Sequence, residues 1–220
     1  MRVYTNFWLT KYELFAKINL TKNNKARLKG IKEMNKKTVA LTKEQYIEII
    51  ETIKTGFLTS RPNDRVATAL VVETNLGIRI SDVLKLRLND FIKDGERFRI
   101  DIVEQKTGKK RTFTVPTEIY NYIKQYCIDN EIKSNDIIFD ISERAIQKHL
   151  KLVCDYLGFE NISTHSFRKF FATNIYLQNE CNIVLVQELL QHSSPTTTQR
   201  YIGIGSKQLE SAITNNINLI

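Results

Sequence analysis

The sequence contains little cysteine and no pattern of metal ligands. Only three of its 220 residues are cysteines (Cys127, Cys154 and Cys181), and they lie far apart without a CxxC pair or a Cys/His cluster. An odd number of distant cysteines argues against a disulfide framework and favours reduced, mostly buried thiols. The sequence also lacks a Gly-rich loop of the kind that cradles phosphates, so nothing in it points to a metal or nucleotide cofactor.

Long apolar runs are missing as well. No window approaches 18 consecutive apolar residues, and the first six residues contain no continuous apolar segment like that of a signal peptide. We therefore expect a soluble, cytoplasmic protein that does not interact with a membrane. A chain of 220 residues with 42% hydrophobic composition is long enough for one good core, or for one domain plus an arm.

Acidic residues are scarce near the N-terminus. Residues 1–40 contain ten Lys/Arg and two Glu, a net charge of +8, whereas residues 41–220 contain 23 basic and 22 acidic side chains, a net charge of +1. This asymmetry predicts a short basic arm (1–40) that contacts a polyanion, followed by a nearly neutral body (41–220). The alternatives are a solvated tail, or a short helix whose aromatic residues dock on another molecule.

Apolar periodicity predicts a body that is mainly helical with one small antiparallel sheet. Residues 97–115 alternate apolar and polar side chains around a Lys-rich turn, which predicts a β-hairpin with Lys106 near its tip. The fold class is therefore mainly α with a small β-hairpin (α+β). Helices are expected at about 42–56, 62–77, from 81 through Leu88, and at 117–129, 143–157, 166–178, 182–191 and 207–218.

Two histidines, an arginine and a tyrosine lie within 37 residues, on segments that read as helical. His165 and Arg168 are three residues apart, so one helix places both on the same face. His192 closes the next amphipathic stretch, and Tyr201 follows a polar run. Arginine matches phosphate oxygens, histidine transfers protons near neutral pH, and tyrosine can attack phosphorus. Together these residue types suggest phosphoryl transfer.

Five separate elements occur in order along the chain. They are Gly77-Ile78-Arg79-Ile80-Ser81-Asp82, the hairpin lysine Lys106, His165-Ser166-Phe167-Arg168, Leu190-Gln191-His192-Ser193-Ser194 and Thr198-Gln199-Arg200-Tyr201. Each residue alone has an ordinary explanation, such as a surface arginine or a turn lysine, so only the ordered set is specific. This set resembles the tyrosine recombinase (phage integrase) family over about residues 40–205, and the resemblance implies a catalytic domain similar to that of type IB topoisomerases.

The resemblance implies a reaction that needs no metal and no nucleotide. Tyr201 would attack the scissile phosphate, form a 3′-phosphotyrosyl link and free a 5′-hydroxyl. Arg79 and Arg168 would bind the non-bridging oxygens and offset the charge that builds in the transition state.

The resemblance also implies how protons move and where the chain departs from the family pattern. Lys106 would protonate the leaving 5′-oxygen, His165 would assist proton transfer from the tyrosine, and His192 would hydrogen-bond the phosphate. Asp82 stands where the family commonly has glutamate, and His149 matches no motif and is expected on a helix surface. Only about 40 residues precede the catalytic region, where most members carry a separate helical core-binding domain.

By this resemblance we expect a site-specific recombinase that acts on double-stranded DNA as a homotetramer on paired sites. Accessory DNA-bending proteins are a further class of partner. Integration, excision, inversion and resolution share one chemistry, so the motifs do not choose among them. The alternatives are a nicking and relaxing enzyme without productive strand exchange, or a DNA-binding accessory protein. The predicted last helix, 207–218, would pack either on its own domain or on a neighbouring protomer.

Overall fold

The computed structural model describes residues 38–58, 60–103, 108 and 110–203 of the chain. Nearly all of the predicted basic arm, the hairpin lysine Lys106 and the predicted last helix lie outside these residues. The division into an arm and a body at residue 40 stays a prediction.

Within the described residues the chain forms eight α-helices, one short 3-10 helix and three strands. Most predicted helices are confirmed to within two residues at each end. The helices are α1 (Lys43–Thr55), α2 (Asp64–Leu76), α3 (Ile80–Val83), α4 (Thr117–Asp129), α5 (Glu143–Leu157), α6 (Thr164–Gln178), α7 (Ile183–Leu190) and α8 (Pro195–Ile202), with the 3-10 helix at Leu88–Asp90.

Local capping explains where the first helices begin and end. Thr42 Oγ1 accepts a hydrogen bond from the Gln45 backbone N–H at 3.2 Å, and Gln45 Oε1 accepts one from the Thr42 N–H at 3.0 Å. This capping box satisfies two N–H groups that the first turn of α1 leaves unpaired. At the end of α2, Gly77 adopts a left-handed conformation with φ of 61°, which glycine reaches without steric cost.

The predicted hairpin is one side of a three-stranded antiparallel sheet. Its strands are β1 (Phe91–Asp94), β2 (Arg97–Val103) and β3 (Lys110–Val115), in the spatial order β1-β2-β3. The register pairs Val103 with Lys110 at the turn end of the hairpin. The connection that carries Lys106 therefore leaves the sheet at this end.

Three elements differ from the sequence-based prediction. The helix expected from Ser81 through Leu88 is limited to the four residues of α3, because the chain turns away and the Leu86 carbonyl accepts a hydrogen bond from the Ile138 N–H at 2.9 Å. Strand β1 was not predicted, since its four residues bury only Phe91 and show no clear alternation. The segment of Tyr201 read as helical, but helix α8 had no predicted bounds, because its sequence is a polar run with few apolar residues.

The apolar residues form two clusters, and the smaller one supports the C-terminal helices. The larger cluster joins α1, α2, α4 and α5 with the sheet and includes the fully buried side chains Leu70, Ile100, Phe139 and Phe167. The smaller cluster consists of Ala172, Tyr176, Val186, Leu190 and Ile202, so it joins α6, α7 and α8. Tyr201 and two isoleucines pack against this smaller cluster.

The thiols are mostly buried, as predicted. Cys127 and Cys154 are buried and Cys181 is exposed. Burial raises the pKa of Cys154 to about 12, so this thiol stays protonated and inert near neutral pH.

In the part of the chain that the structure describes, no helix combines the length and apolarity needed to cross a membrane.

Candidate active site

Arg79 is placed by the turn between α2 and α3. The flanking side chains Ile78 and Ile80 are 1% and 3% exposed, so they anchor the turn in the core and leave Arg79 half-buried. A Cβ atom on Gly77 would lie 2.2 Å from a ring carbon of Phe171 on α6. The turn therefore approaches α6 so closely that only glycine fits, and this contact brings Arg79 towards the helix that carries Arg168.

Arg168 lies in the interior, on the second turn of α6. Its side chain is 2% exposed, and its Nη2 donates a hydrogen bond to the carbonyl oxygen of Leu190, the last residue of α7, at 3.3 Å. The final carbonyls of a helix have no partner within the helix and carry a partial negative charge. The guanidinium thus holds α6 against the end of α7, the point from which the chain leads to His192.

A second buried arginine contacts the same helix end. Arg111 on β3 is 8% exposed, and its guanidinium carbon lies 3.6 Å from the centroid of the Phe113 ring. Its Nη2 donates a hydrogen bond to the Leu189 carbonyl. Arg111 therefore ties the sheet that carries the Lys106 connection to the segment that carries His192. Sequence reasoning missed this residue, because a strand arginine gives no sign of which carbonyl it will meet.

His192 and Tyr201 lie next to each other. Their ring centroids are 5.1 Å apart, and the rings meet edge to face at 77°. His192 Nδ1 is 3.0 Å from Oγ1 of Thr198, a fully buried residue one turn before Tyr201 on α8. Gln191 allows this approach, because its left-handed backbone (φ of 53°) ends α7 and turns the chain sharply.

His165 lies at the second residue of α6, one turn before Arg168, where its side chain is exposed. The predicted common face of His165 and Arg168 follows from their spacing on this single helix. Asp82, in contrast, is 4% exposed on α3, three residues after Arg79. Asp82 is therefore buried next to the turn that carries Arg79.

The charges around Tyr201 show which groups surround the phenol. Burial raises the pKa of Tyr201, and this effect outweighs the opposing ones. The positive charge of Arg168 lowers the pKa of the phenol, Glu73 raises it and Arg79 lowers it, while a hydrogen bond with Arg168 lowers it further. Arg79, Arg168, His192 and Tyr201 are therefore brought together, and the phenol is protonated at rest.

Glu73 is an acidic residue of this site that sequence reasoning missed. It lies on α2, which packs along α6, and it is fully buried. Burial raises the pKa of Glu73 well above its usual range, against the opposing effects of the Arg168 charge and the Ile80 backbone N–H. The sequence signal for Glu73 was its position directly after the apolar run Ala69-Leu70-Val71-Val72. An acidic residue next to such a run is rarely buried without a functional or structural reason.

Lys169 is a second residue that the motifs did not indicate. It follows Arg168 on α6 and is 8% exposed. Its Nζ donates a hydrogen bond to the Thr38 carbonyl oxygen at 2.5 Å and lies 5.3 Å from the centroid of the Tyr201 ring. The site therefore contains a lysine next to the ring of Tyr201, the candidate nucleophile, in addition to the two arginines.

The predictions for His149 and Lys106 have different outcomes. His149 is half-buried, and burial lowers its pKa, so the expectation of a helix-surface histidine was wrong. It borders the buried residues Ile146, Leu150 and Val153 on the same helix. The predicted role of Lys106 stays a prediction, since this residue lies outside the described part.

No group of three or more His, Cys, Asp or Glu side chains within the described ranges could hold a metal ion. Apart from Glu73, whose raised pKa favours the neutral carboxyl group, the groups around Tyr201 are cations and an imidazole, which suit an anionic ligand such as a phosphodiester.

The sequence profile of the phage integrase family matches residues 39–206. The probable integrase/recombinase YoeC of Bacillus subtilis (strain 168) is 31% identical over 177 residues, which cover 76% of this chain and 91% of that protein. The tyrosine recombinase XerA of Pyrococcus furiosus is 28% identical over 187 residues, which cover 79% of this chain and 60% of that protein. XerH of Helicobacter pylori is 26% identical over 180 residues, covering 77% of this chain and 48% of that protein.

Solved structures share the fold. The XerH site-specific recombinase bound to palindromic difH substrate, a post-cleavage complex, aligns with a TM-score of 0.63 and 23% identity over 84% of this chain and 56% of that one. The catalytic domain of bacteriophage HP1 integrase aligns with a TM-score of 0.55 and 19% identity over 82% of this chain and 96% of that one. These alignments confirm the predicted mainly helical fold with a small sheet.

Coverage differs among the relatives. The chain spans most of YoeC but only about half to three fifths of the XerA and XerH proteins. The family profile covers well over half of the 220 residues, from just before α1 to just beyond α8, and includes Arg79, Arg168, His192 and Tyr201. From this match, the shared fold and the convergence of these four side chains, we conclude that the chain belongs to the phage integrase family.

Proposed function

We propose that this chain is a site-specific DNA recombinase that cleaves and rejoins DNA through a phosphotyrosyl intermediate. The observation that carries the proposal is the convergence of Arg79, Arg168 and His192 on the buried phenol of Tyr201. The arginines and the imidazole come from distant parts of the chain, and the tyrosine adds a nucleophile. A protein that only bound DNA would need the cations but not the buried phenol.

In this proposal Tyr201 is the nucleophile. Its hydroxyl oxygen forms a bond to the scissile phosphorus, the bond to the 5′-oxygen breaks, and the product is a 3′-phosphotyrosyl link with a free 5′-hydroxyl. The intermediate keeps a phosphodiester bond, so the reverse attack by a 5′-hydroxyl can reseal the DNA without a nucleotide.

Arg79 and Arg168 would bind the non-bridging oxygens. Negative charge builds on these oxygens as phosphorus becomes five-coordinate, so preformed cations lower the barrier. Arg168 is already held by the Leu190 carbonyl, which reduces the reorganisation needed at the moment of reaction. The shift of Glu73 towards its protonated form also supports this role, because a neutral carboxyl group cancels less of the Arg168 charge.

The remaining proton transfers are assigned to Lys106, His165 and His192. Lys106 would protonate the leaving 5′-oxygen from the hairpin connection, and His165 would assist removal of the Tyr201 proton. His192 lies against Tyr201, where it would donate a hydrogen bond to the phosphate. Its Nδ1 is engaged by Thr198 at 3.0 Å, so the hydrogen bond to the phosphate would come from the other ring nitrogen, Nε2.

The proposed substrate is double-stranded DNA at paired sites, with four copies of the chain acting together in the cytoplasm. The XerH structure aligned above holds DNA, as its difH substrate shows. The basic residues 1–40 would add sequence-independent contacts to phosphates. Accessory DNA-bending proteins would act on the same complex.

Covalent trapping tests the proposal. A pool of nicked duplexes tiling the DNA that flanks the gene is incubated with the full chain. A nick just 3′ of the cleavage site lets the short fragment that carries the freed 5′-hydroxyl diffuse away, which prevents resealing. We expect an SDS-stable protein–DNA adduct that Tyr201→Phe abolishes while DNA retention changes only a few-fold, since one hydroxyl is lost.

Tyr176→Phe is the matched control. Tyr176 is a 9%-exposed tyrosine of the same small cluster, so its substitution should leave the adduct intact. An adduct that survives in Tyr201→Phe would refute the assignment of the nucleophile. Retention of the flanking DNA without any adduct would favour an accessory DNA-binding protein.

A further inference from the structure

Two buried arginines bind consecutive carbonyl oxygens at the end of α7. Nη2 of Arg168 on α6 donates a hydrogen bond to the Leu190 carbonyl oxygen at 3.3 Å, and Nη2 of Arg111 on β3 donates one to the carbonyl oxygen of Leu189. The final carbonyls of a helix have no partners within the helix and carry a partial negative charge. The end of α7 is therefore held from two sides, by α6 and by the sheet.

The conformation of Arg111 is restricted by the sheet. Its guanidinium carbon lies 3.6 Å from the centroid of the Phe113 ring, two residues further along β3. Both side chains are buried, and residues two apart on a strand lie on the same face. A guanidinium group that stacks on an aromatic ring loses much of the freedom of its long side chain. Arg111 therefore reaches α7 from a fixed position.

The Arg111 contact joins two parts of the protein that have separate apolar clusters. Phe113 belongs to the larger cluster, whereas Val186 and Leu190 of α7 belong to the smaller one. Among the described elements, α7 packs most extensively on α6 and α8, which share its cluster. The hydrogen bond from Arg111 thus connects the sheet to the helix end from which the chain leads into the active site.

His192 follows this helix end after a single residue. Gln191 turns the chain, and its N–H donates a hydrogen bond to the Glu188 carbonyl oxygen at 3.0 Å. The His192 N–H donates one to the Gln187 carbonyl oxygen, also at 3.0 Å, and the ring of His192 meets that of Tyr201 edge to face. Because the turn is this short and is hydrogen-bonded to α7, a shift of the helix end moves the imidazole with it.

We propose that Arg111 is a positioning residue for His192, and that it keeps the imidazole in place by holding the end of α7 on the sheet. The inference rests on the proposed function, in which His192 donates a hydrogen bond to the phosphate. Arg111 acts through the Leu189 carbonyl and not on the phosphate itself. A misplacement of about 1 Å in a group that meets the reacting atoms can cost roughly a hundredfold in rate.

The first test measures hydrogen exchange and needs no DNA. The amides of Gln191 and His192 report on the turn that follows α7, and they are compared in the full-length parent and in Arg111→Met. Methionine can lie over the Phe113 ring but cannot donate a hydrogen bond. We expect both amides to exchange about tenfold faster in Arg111→Met, because the helix end opens more easily, while the amides of α4 keep their parental rates.

Two further variants control this measurement. Arg111→Lys should restore part of the protection, since an ammonium group can still donate to the Leu189 carbonyl oxygen. Arg65→Met is the matched control, because Arg65 Nη1 also donates to a distant carbonyl oxygen, that of Asp140, at 2.7 Å. Its substitution should leave the exchange of Gln191 and His192 unchanged.

The second test asks whether Arg111 acts through His192. Rates of Tyr201-dependent adduct formation on the pool of nicked duplexes are compared in the parent, Arg111→Met, His192→Asn and the double variant. Arg111→Met should slow the parent about tenfold but should have an effect of less than about twofold once His192 is replaced. A loss of overall stability would instead slow both backgrounds by the same factor. DNA retention should stay within a few-fold in all four proteins.

Parental exchange of Gln191 and His192 in Arg111→Met would overturn the inference, as would an equal effect of Arg111→Met with and without His192. If Arg111→Met does not fold, Phe113→Leu carries both tests, since it removes the ring beneath the guanidinium but keeps the donor. It should give smaller changes in the same directions, and no change in either test would also overturn the inference. Absence of a Tyr201-dependent adduct in the parent is a failure of the proposed function. Hydrogen exchange then still decides whether Arg111 holds the helix end.

Discussion

Replacing Glu73 by glutamine should make the protein more stable at neutral and alkaline pH. Glu73 is fully buried, and burial raises its pKa well above the usual value of 4.5. A buried carboxyl group whose folded pKa is raised binds its proton more tightly in the folded state than in the unfolded chain. Glutamine has nearly the same shape as the protonated acid but cannot ionise.

The sign of the effect follows from linkage. Below about pH 4.5 the acid is protonated in both states, and its full contribution to stability is present. As the pH rises from there to the raised folded pKa, the unfolded state loses its proton first, so the parent loses stability at about 1.4 kcal/mol per pH unit. Above the folded pKa the difference between Glu73→Gln and the parent should be constant.

The assay is urea-induced unfolding of the parent and of Glu73→Gln at several pH values between 4 and 9. Subtracting the two free energies of unfolding cancels the other titrating groups. Glu48→Gln is the control, because Glu48 is an exposed residue of α1 and its substitution should give no pH-dependent difference. If Glu73→Gln is instead less stable than the parent at every pH, Glu73 is ionised and forms a buried ion pair with Arg168, and the reasoning is wrong.

Four further predictions follow from the same structure and sequence. Gly77→Ala should destabilise the protein by about 2 kcal/mol or more in urea unfolding, because its Cβ would lie 2.2 Å from the Phe171 ring at a φ of +61°. Arg168→Ala should raise the barrier to adduct formation by about 3 kcal/mol, which slows the reaction roughly a hundredfold. Arg168→Lys should not restore the rate fully, because the planar fork of the guanidinium is lost. Lys106→Ala should slow cleavage of ordinary DNA far more than cleavage of a 5′-phosphorothiolate substrate, and equal slowing would assign the acid elsewhere. Replacing five of the ten basic residues in 1–40 by glutamine should lower the log–log salt slope of DNA binding by about 4 to 5 if each meets a phosphate, whereas an unchanged slope would indicate a protein-docking arm.

The sequence by itself determined the family, the helices and the candidate residues. The order of the motifs around Arg79, His165, Arg168, His192 and Tyr201 is readable without coordinates, because catalysis restricts residue type at fixed positions. Most helix ends could also be predicted from the sequence, because short-range contacts determine them. Thr42, Gly56 and Gly77 cap helices through contacts within a few residues, so sequence patterns record them.

Weak local patterns account for the elements that sequence reasoning missed. Strand β1 buries only Phe91, and it forms because β2 is available to pair with it. Helix α8 is mostly polar and begins with Ser194 as its cap and Pro195 in its first turn. Its position depends on Ile202 reaching the small cluster, a contact that no short window of sequence contains.

Only the tertiary structure decided which groups surround the nucleophile. Lys169 meets the carbonyl of Thr38, 131 residues earlier in the chain, and Arg111 meets a carbonyl on α7, 78 residues later. Glu73 meets the charge of Arg168 because α2 packs on the helix that carries this arginine. The burial and the electrostatic environment of a group depend on everything that packs around it. The sequence therefore indicates which residue types can perform the chemistry, and the fold determines the electrostatic environment in which they act.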